Sequence, residues 1–487
     1  MPLVLVANRA PIRRTPGGWA PGLGGLASAL LPVVERRGGA WVSMQAPAEA
    51  TPLVQRYPEA APTMTVRRIP LSAAEHAAYY EGMANRVLWP LSHYLIEQVE
   101  PDRGFRDAYR AVNRRFAHAA LDVARETDAA GEPVQFWIQD YHLMLVPEMI
   151  RAGRPDARIG HFWHIPWPAP EVFRVLPSSR ALLRGMLGAD LVGFHTDGDA
   201  ENFREAARDL LDAEIDGRAV LWEGRRVVAE AHPIGIDVAR FEAFGADPEG
   251  AAEAARLRDE LVVERLVLGV DRLDYTKGLL LRFGAYERFL DAHPEWHGRV
   301  TLFQVATPSR TGVPAYARLK RAVDEAVGRI NGRFSEGVWQ PIRYRYRAYT
   351  QRELAVLYRA ADVAFVTPLR DGMNLVAHEF AAVSAAAEAA GEGTALAAAR
   401  EPARRPSGAP GVLVLSELAG AADYLDGALL ANPYDADGLA DALHSALSLS
   451  AADASERLGR IRDAVRRLDA HRWAATFLDA LGMRDEG

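Results

Sequence analysis

The residues best suited to chemistry in this chain stand in clusters directly after short apolar runs. After Val363–Val366 comes Thr367-Pro368-Leu369-Arg370-Asp371-Gly372-Met373-Asn374-Leu375, followed by Glu379. Pro368 and Gly372 interrupt the chain, and a helix is expected from about Asn374. The unpaired N–H groups of a helix start favour anionic or oxygen-rich ligands. Asp371 can accept hydrogen bonds from sugar hydroxyls, and Glu379, about one turn into the helix, can take a ribose diol. The same residue types would also suit plain helix capping by Asp371 and Asn374.

A second cluster, Asp271-Arg272-Leu273-Asp274-Tyr275-Thr276-Lys277-Gly278, follows another apolar run. Arg272 and Lys277 are two cations at the end of a strand. They suit neutralisation of a diphosphate leaving group, with the helix after Gly278 adding its positive end. Solvated cations paired with Asp271 and Asp274 are the plainer alternative. At the N-terminus, Asn8-Arg9 ends the first run and Gly22-Leu23-Gly24-Gly25-Leu26 opens a helix. The glycines would allow close backbone approach to a ligand, a weak signal by itself. A fourth group joins Asp140-Tyr141-His142 to His161-Phe162-Trp163-His164. Asp140 and His164 suggest a Brønsted pair or a clamp on sugar hydroxyls; His142, His161 and His195 are expected to be structural. No histidine spacing matches a metal-binding helix, so no metal is expected.

These clusters need rigid strands behind them. The apolar runs 2–7, 135–138, 191–194, 265–270, 300–305, 363–366 and 412–415 read as buried strands, with helices such as 314–330 and 352–361 between. Strands buried on both faces and alternating with helices imply parallel α/β sheets. A chain of 487 residues exceeds one core. The reading is two doubly wound domains facing a cleft: residues 1–235, residues 236–460, and a C-terminal helix, 461–487, that packs back on the first domain. Ala451–Leu481 is expected to be amphipathic helix with Trp473 on its apolar side. Ala381–Pro410, rich in Ala, Glu, Arg, Gly and Pro, is expected to be an exposed helix and a mobile loop.

The bulk properties exclude several classes. A net charge of −7 argues against a general nucleic-acid binder. The absence of cysteine removes disulfide and thiolate chemistry and fits a reducing cytoplasm. The N-terminus lacks the features of a signal peptide, and no apolar stretch is long enough to span a membrane. The expected location is cytoplasmic.

Taken in order, Asn8-Arg9, Gly24-Gly25-Leu26, Tyr79-Tyr80, Val87-Leu88-Trp89-Pro90, Asp140-Tyr141-His142, His164-Ile165-Pro166-Trp167-Pro168, Arg272 to Gly278, Gly328 to Gly332 and Arg370 to Leu375 resemble the trehalose-6-phosphate synthases of glycosyltransferase family 20. The resemblance runs from about residue 3 to residue 480. It implies a GT-B fold of two Rossmann-like domains and a metal-independent, cofactor-free, retaining transfer of glucose from an NDP-glucose, UDP-glucose favoured, to glucose 6-phosphate. It implies a donor site of Gly25, His164, Arg272, Lys277, Asp371, Met373, Asn374, Leu375 and Glu379. It implies an acceptor site of Arg9, Tyr80, Trp89, Asp140 and Arg310, the arginines facing the phosphate. Asp140, His164, Arg272, Lys277 and Asp371 are the expected catalytic set. A homo-oligomer, dimer or tetramer, is expected, with no nucleic-acid or membrane partner.

Retention by same-face attack needs leaving-group charge neutralised and two substrates aligned. Double displacement would need a carboxylate under the anomeric carbon, for which Asp140 is the one candidate. The chain departs from the family pattern at Met44 (usually Trp), Gln139 (usually His), His378 (usually Lys) and in a longer 381–410 segment. Two alternatives stand beside the main reading: a related synthase with glycerol 3-phosphate as acceptor, and a non-catalytic sugar-phosphate sensor. A phosphorylase-like enzyme lacks a pyridoxal-phosphate lysine motif.

Overall fold

Unbroken apolar runs such as Leu3–Val6 and Val363–Val366 are buried along their whole length, as strands covered on both faces by helices must be. The computed structural model describes residues 3–15, 18–21, 30–31, 33, 39–47, 49, 51–57, 64–128, 134–310, 312–390 and 410–482. It forms two compact units, Met1–Ile234 with Ala470–Gly487, and Gly235–Asp469.

The first unit is built on a ten-stranded sheet. Its strands run in the order Glu214–Asp216, Ala219–Trp222, Arg225–Ala231, Leu191–Phe194, Arg158–Phe162, Gln135–Gln139, Leu3–Val6, Gly39–Gln45, Met64–Pro70 and Val54–Tyr57. Neighbours from Arg225–Ala231 through Met64–Pro70 are parallel, and the outer pairs are antiparallel. Strand succession reverses direction between Leu3–Val6 and Gln135–Gln139.

The second unit carries a six-stranded sheet, all parallel, in the order Ile342–Arg345, Val300–Thr307, Arg265–Arg272, Val363–Val366, Val412–Ser416, Leu429–Ala431. Its reversal lies between Arg265–Arg272 and Val363–Val366. Such reversal points, outside the carboxyl ends of the strands, are where open α/β sheets hold ligands. The clusters at Asn8, Asp140, Asp271 and Asp371 therefore lie at the carboxyl ends of strands beside a switch point, and His164 follows the neighbouring strand.

Two expectations are corrected here. The stretch expected as one helix over 451–481 is two, Ala451–Arg467 and Ala470–Gly482. The chain turns at Leu468-Asp469, where the Asp469 carboxylate accepts from the Val238 N–H at 3.4 Å. Residues 461–469, expected with the terminal helix, thus belong to the second unit. Only Ala470–Gly482 lies on the first sheet, where Trp473 and Phe477 pack on Trp137 at ring-centroid distances of 5.2 and 5.0 Å. A Cβ at Gly160 or Gly193 would stand 2.7 Å from the Phe477 ring, so these strand glycines admit the helix.

The second correction concerns the alanine-rich segment. The helix Leu375–Ala389 is not exposed over its second half: Ala381, Ala382, Val383, Ser384, Ala385 and Ala387 are buried. Small side chains let it pack closely on Val238–Ala246, where a Cβ on Gly245 would stand 2.7 Å from the Ala386 Cβ. The loop expected after it, 391–409, lies outside the described residues. No helix among the described residues is long and apolar enough to cross a membrane.

Candidate active site

In the second unit the two strands flanking the switch point end in the two expected donor loops. Arg265–Arg272 leads to a single 3-10 turn, Tyr275–Lys277, capped by the Asp274 side chain, and Gly278 at φ 67° opens the helix Leu279–Ala292. Val363–Val366 leads to Asp371 and the helix Leu375–Ala389. The loops meet through an ion pair of Lys277 Nζ with Asp371 Oδ2. The same oxygen accepts from Asn374 Nδ2 at 3.0 Å, and Asp371 Oδ1 accepts from the Gly372 N–H at 3.0 Å.

Capping alone does not account for this loop. Asn374 occupies the N-cap position at φ 79° and makes no side-chain cap hydrogen bond; its amide is turned back onto Asp371. A non-glycine residue held at positive φ is a local strain that surrounding structure must maintain. Main-chain bonds from Asp371 N to Leu418 O (3.2 Å), Gly420 N to Asp371 O (3.1 Å) and Ala421 N to Met373 O (2.9 Å) supply that constraint. The helix start thus lacks a side-chain cap while a lysine and two loop main chains surround it, an arrangement suited to an anionic oxygen.

Beneath the loops lies a buried charge network. Arg282 is fully buried and its guanidinium pairs with Asp271. It also donates to Gln304 Oε1 at 2.9 Å, to Thr367 Oγ1 at 2.9 Å and to the Lys277 carbonyl at 3.4 Å. One side chain thereby ties both switch-point strands to the backbone of Lys277. Arg310, at φ 45°, pairs through Nη1 with Asp274 Oδ2 at 2.7 Å, and Tyr316 donates to the same oxygen at 2.9 Å. Burial opposes ionisation of Asp274, but Arg310, then Arg272, hold its pKa down to about 2. Glu379 accepts from Tyr358 Oη at 2.7 Å, and burial raises its pKa to about 7.

In the first unit, Leu3–Val6 delivers Asn8 and Arg9. Asn8 Oδ1 accepts from the buried Tyr79 hydroxyl at 2.9 Å, and the Arg9 carbonyl accepts from Trp41 Nε1 at 3.0 Å. The Arg9 guanidinium donates to Tyr80 Oη at 2.8 Å. Tyr79 and Tyr80 stand on a twelve-residue π-helix, Ala77–Leu88, which runs directly into Trp89. Asn85 stabilises its wider turn by donating to the Tyr80 carbonyl at 2.7 Å. π-Helical turns concentrate at functional sites; here one places Tyr80 parallel to the His142 ring at 5.8 Å. Trp89 is buried against His93 and Tyr141 at centroid distances of 4.3 and 5.9 Å.

Asp140 follows Gln135–Gln139 at φ 74°, another non-glycine residue in the strained region. Its N–H donates to the Phe162 carbonyl at 2.6 Å, and its Oδ1 accepts from the His164 N–H at 3.3 Å. Gln139 Oε1 lies 2.8 Å from His164 Nε2, so the ring donates there as the neutral tautomer. Burial first, then His195, His161 and His142, push the His164 pKa well below the ordinary histidine value. Trp473 of the terminal helix backs the ring at 5.9 Å. With Nε2–H committed to Gln139, neutral His164 can accept a hydrogen bond from a hydroxyl at Nδ1 and does not serve as a cation. Burial also lowers the His161 pKa, to about 3.

The structure thus brings Arg9, Tyr80 and His142 together, Asp140 with His164, and Lys277 with Asp371 and Asn374. Arg310 belongs to the second unit, and Arg9, Tyr80 and Trp89 belong to the first. Gly25 lies outside the described residues. Sequence reasoning missed the work of His142, Trp41, Tyr316 and Arg282. Only the last had a signal available to it, an arginine on an apolar helix face.

Comparison with known proteins agrees with this geometry. The sequence profile of Glycosyltransferase family 20 matches residues 3–483. The chain belongs to glycosyltransferase family 20. A bifunctional trehalose-6-phosphate synthase/phosphatase from Thermoproteus tenax is 39% identical over 99% of the chain, which spans 63% of that relative's length. Among solved structures, an α,α-trehalose-phosphate synthase (UDP-forming) from Burkholderia xenovorans in complex with glucose 6-phosphate is 33% identical. Its TM-score is 0.85, covering 99% of this chain and 100% of that one. An E. coli trehalose-6-phosphate protein bound with UDP-2-fluoro glucose gives 33% identity and TM-score 0.86 over 99% of both chains. The fold is GT-B, and the protein is a glycosyltransferase.

Within this family 20 chain, the unusual residues have defined places. Gln139 fixes the His164 ring. Met44 is buried on the strand Gly39–Gln45. His378 is fully buried, and burial lowers its pKa to about 4, so the position is neutral near pH 7.

Proposed function

We propose that this enzyme transfers glucose, with retention, from an NDP-glucose to glucose 6-phosphate, forming α,α-trehalose 6-phosphate, with UDP-glucose the favoured donor. The link of Lys277 to Asp371 and Asn374 at the switch point of the second unit carries this reading. It gathers a cation, a carboxylate and an uncapped helix start where a sugar diphosphate needs all three. The two relatives solved with glucose 6-phosphate and UDP-2-fluoro glucose support the substrate pair.

In this mechanism Arg272 and Lys277 neutralise the departing diphosphate, and the backbone of Met373, Asn374 and Leu375 receives its oxygens. Asp371 and neutral His164 hold the donor glucose, and Glu379 holds the ribose. Arg9, Tyr80 and Trp89 receive the acceptor sugar phosphate, with Arg310 as the second phosphate cation. Asp140 orients the acceptor hydroxyls. The attacking hydroxyl approaches the face the diphosphate leaves, and its proton passes to the departing phosphate oxygen. Stabilisation of that leaving group and alignment of the two substrates supply the rate. No cofactor takes part in these steps. The partners are small molecules, the expected assembly is a dimer or tetramer, and the expected location is the cytoplasm.

The test is a donor-by-acceptor matrix, with UDP-, GDP- and ADP-glucose against glucose 6-phosphate and glycerol 3-phosphate, read by product mass. Trehalose 6-phosphate from UDP-glucose and glucose 6-phosphate is expected. Turnover with glycerol 3-phosphate alone would overturn the acceptor assignment. Donor binding without nucleotide release under any pairing would make the protein a sensor.

A further inference from the structure

Far from the donor loops, the second unit carries a cluster that the transfer reaction does not use. The helix Leu279–Ala292 ends at His293, a short 3-10 turn Pro294–Trp296 follows, and the helix Ala436–Ser448 packs alongside. His293, Glu295 and His444 each offer one ligand atom, and these atoms all lie within 4.8 Å of one another. No other such group occurs among the described residues. From the juxtaposition of His293, Glu295 and His444 we infer a structural binding site for a divalent transition metal of the zinc class.

The ligand chemistry selects the ion. Two imidazoles and one carboxylate suit Zn²⁺, Ni²⁺ or Cu²⁺, whereas Mg²⁺ and Ca²⁺ prefer all-oxygen sets. The His293 and His444 rings lie parallel, 3.8 Å apart and 3° from coplanar stacking. The stack sets the two rings side by side on neighbouring elements, within reach of one ion. His444 Nδ1 is buried and has no hydrogen-bond partner. Glu295 Oε1 stands 3.0 Å from His293 Nδ1. Phe289 closes one side at centroid distances of 5.4 Å from His293 and 6.5 Å from His444.

A tetrahedral zinc with bonds of about 2.0–2.1 Å needs its donors about 3.3 Å apart. Closing from the present spread takes a rotation of exposed Glu295 and a splaying of the two rings; water fills the fourth position. Bound there, the ion would staple the end of Leu279–Ala292 to Ala436–Ser448, beside the Arg288–Asp437 ion pair that joins the same two helices. Lys277 precedes the opposite end of the first helix, about 20 Å away at 1.5 Å per residue. The ion is therefore a clip, not a catalytic metal.

The probe is ZnCl2 titrated calorimetrically into the metal-free full-length protein, with Co²⁺ as the spectroscopic substitute. One Zn²⁺ per chain at micromolar affinity or tighter, a tetrahedral Co²⁺ visible spectrum and a zinc-dependent rise in Tm are expected. Glu295→Gln, at an exposed position where the fold should not suffer, should weaken binding about tenfold or more, and His444→Ala should abolish it. The inference fails if wild type binds no Zn²⁺ at 0.1 mM. It also fails if Glu295→Gln and His444→Ala, both folded by circular dichroism, bind as wild type does.

Discussion

The two units hold their candidate site residues by different physics. In the first, Arg9, Tyr80, His142 and Trp89 are placed by hydrogen bonds and ring packing around a π-helix. In the second, Lys277–Asp371, Arg310–Asp274 and Arg282–Asp271 are ion pairs with little exposure. The contrast matches the ligands proposed for each. A sugar ring is recognised by stacking and hydroxyl contacts, while a diphosphate calls for cations fixed before it arrives. It follows that charge changes and pH should act mainly on the second unit, and ring or hydroxyl changes on the first.

The sharpest way to break this comparison is Arg282→Met. It leaves Asp271 buried without its counter-ion, at a cost of about 3–5 kcal/mol. Urea unfolding should show that loss, and the Arg282→Met/Asp271→Asn double variant should recover much of it. If the single variant unfolds like wild type, the network is not what fixes the loops. Next, Arg272→Ala should lower kcat by roughly 10²–10³-fold. Its side chain is exposed and Arg310 still pairs with Asp274, so the melting temperature should fall far less than in Arg282→Met. A loss confined to KM would instead mark Arg272 as a ground-state contact.

The pH response should separate the units further. The folded pKa of Glu379 is raised, to about 7, so its contribution to stability is full below the unfolded value and is lost as pH rises through about 7. The Asp274 pKa is lowered, to about 2, so its contribution is present above the unfolded value and lost as pH falls toward 2. Melting temperature measured without ligand should therefore decline from pH 6 to pH 8 in wild type and less in Glu379→Gln. Donor KM should fall over the same range, because the ionised carboxylate is the better ribose acceptor. The smallest effect belongs to the first unit. Tyr80→Phe removes one exposed hydrogen bond from the Arg9 guanidinium, worth about 1 kcal/mol, and should raise the acceptor KM about fivefold with donor KM unchanged. A tenfold or larger shift in donor KM would erase the distinction.

Much of the fold was legible because buried parallel strands announce themselves as unbroken apolar runs, and each promising cluster followed one. The meeting of Lys277 with the Asp371 loop was readable from order along the chain, since both loops follow strands. What was not legible depended on neighbours distant in sequence. The π-helix has no local signature in Ala77–Leu88. The partnership of Arg310 with Asp274 is set by the end of Val300–Thr307 lying next to that of Arg265–Arg272. The alanine-rich 381–389 segment looked exposed because low complexity and tight helix packing share the same small residues.

The terminal helix has a consequence in time. Ala470–Gly482 completes the first unit and backs His164 with Trp473, yet it is synthesised after the entire second unit. During translation the second unit can close while the first still lacks the cover over Trp137 and Phe162. For that interval the nascent chain presents an unfinished sheet face, the kind of surface on which misfolding begins. Slow emergence of the last residues should therefore endanger the first unit more than the second, though its strands were made first.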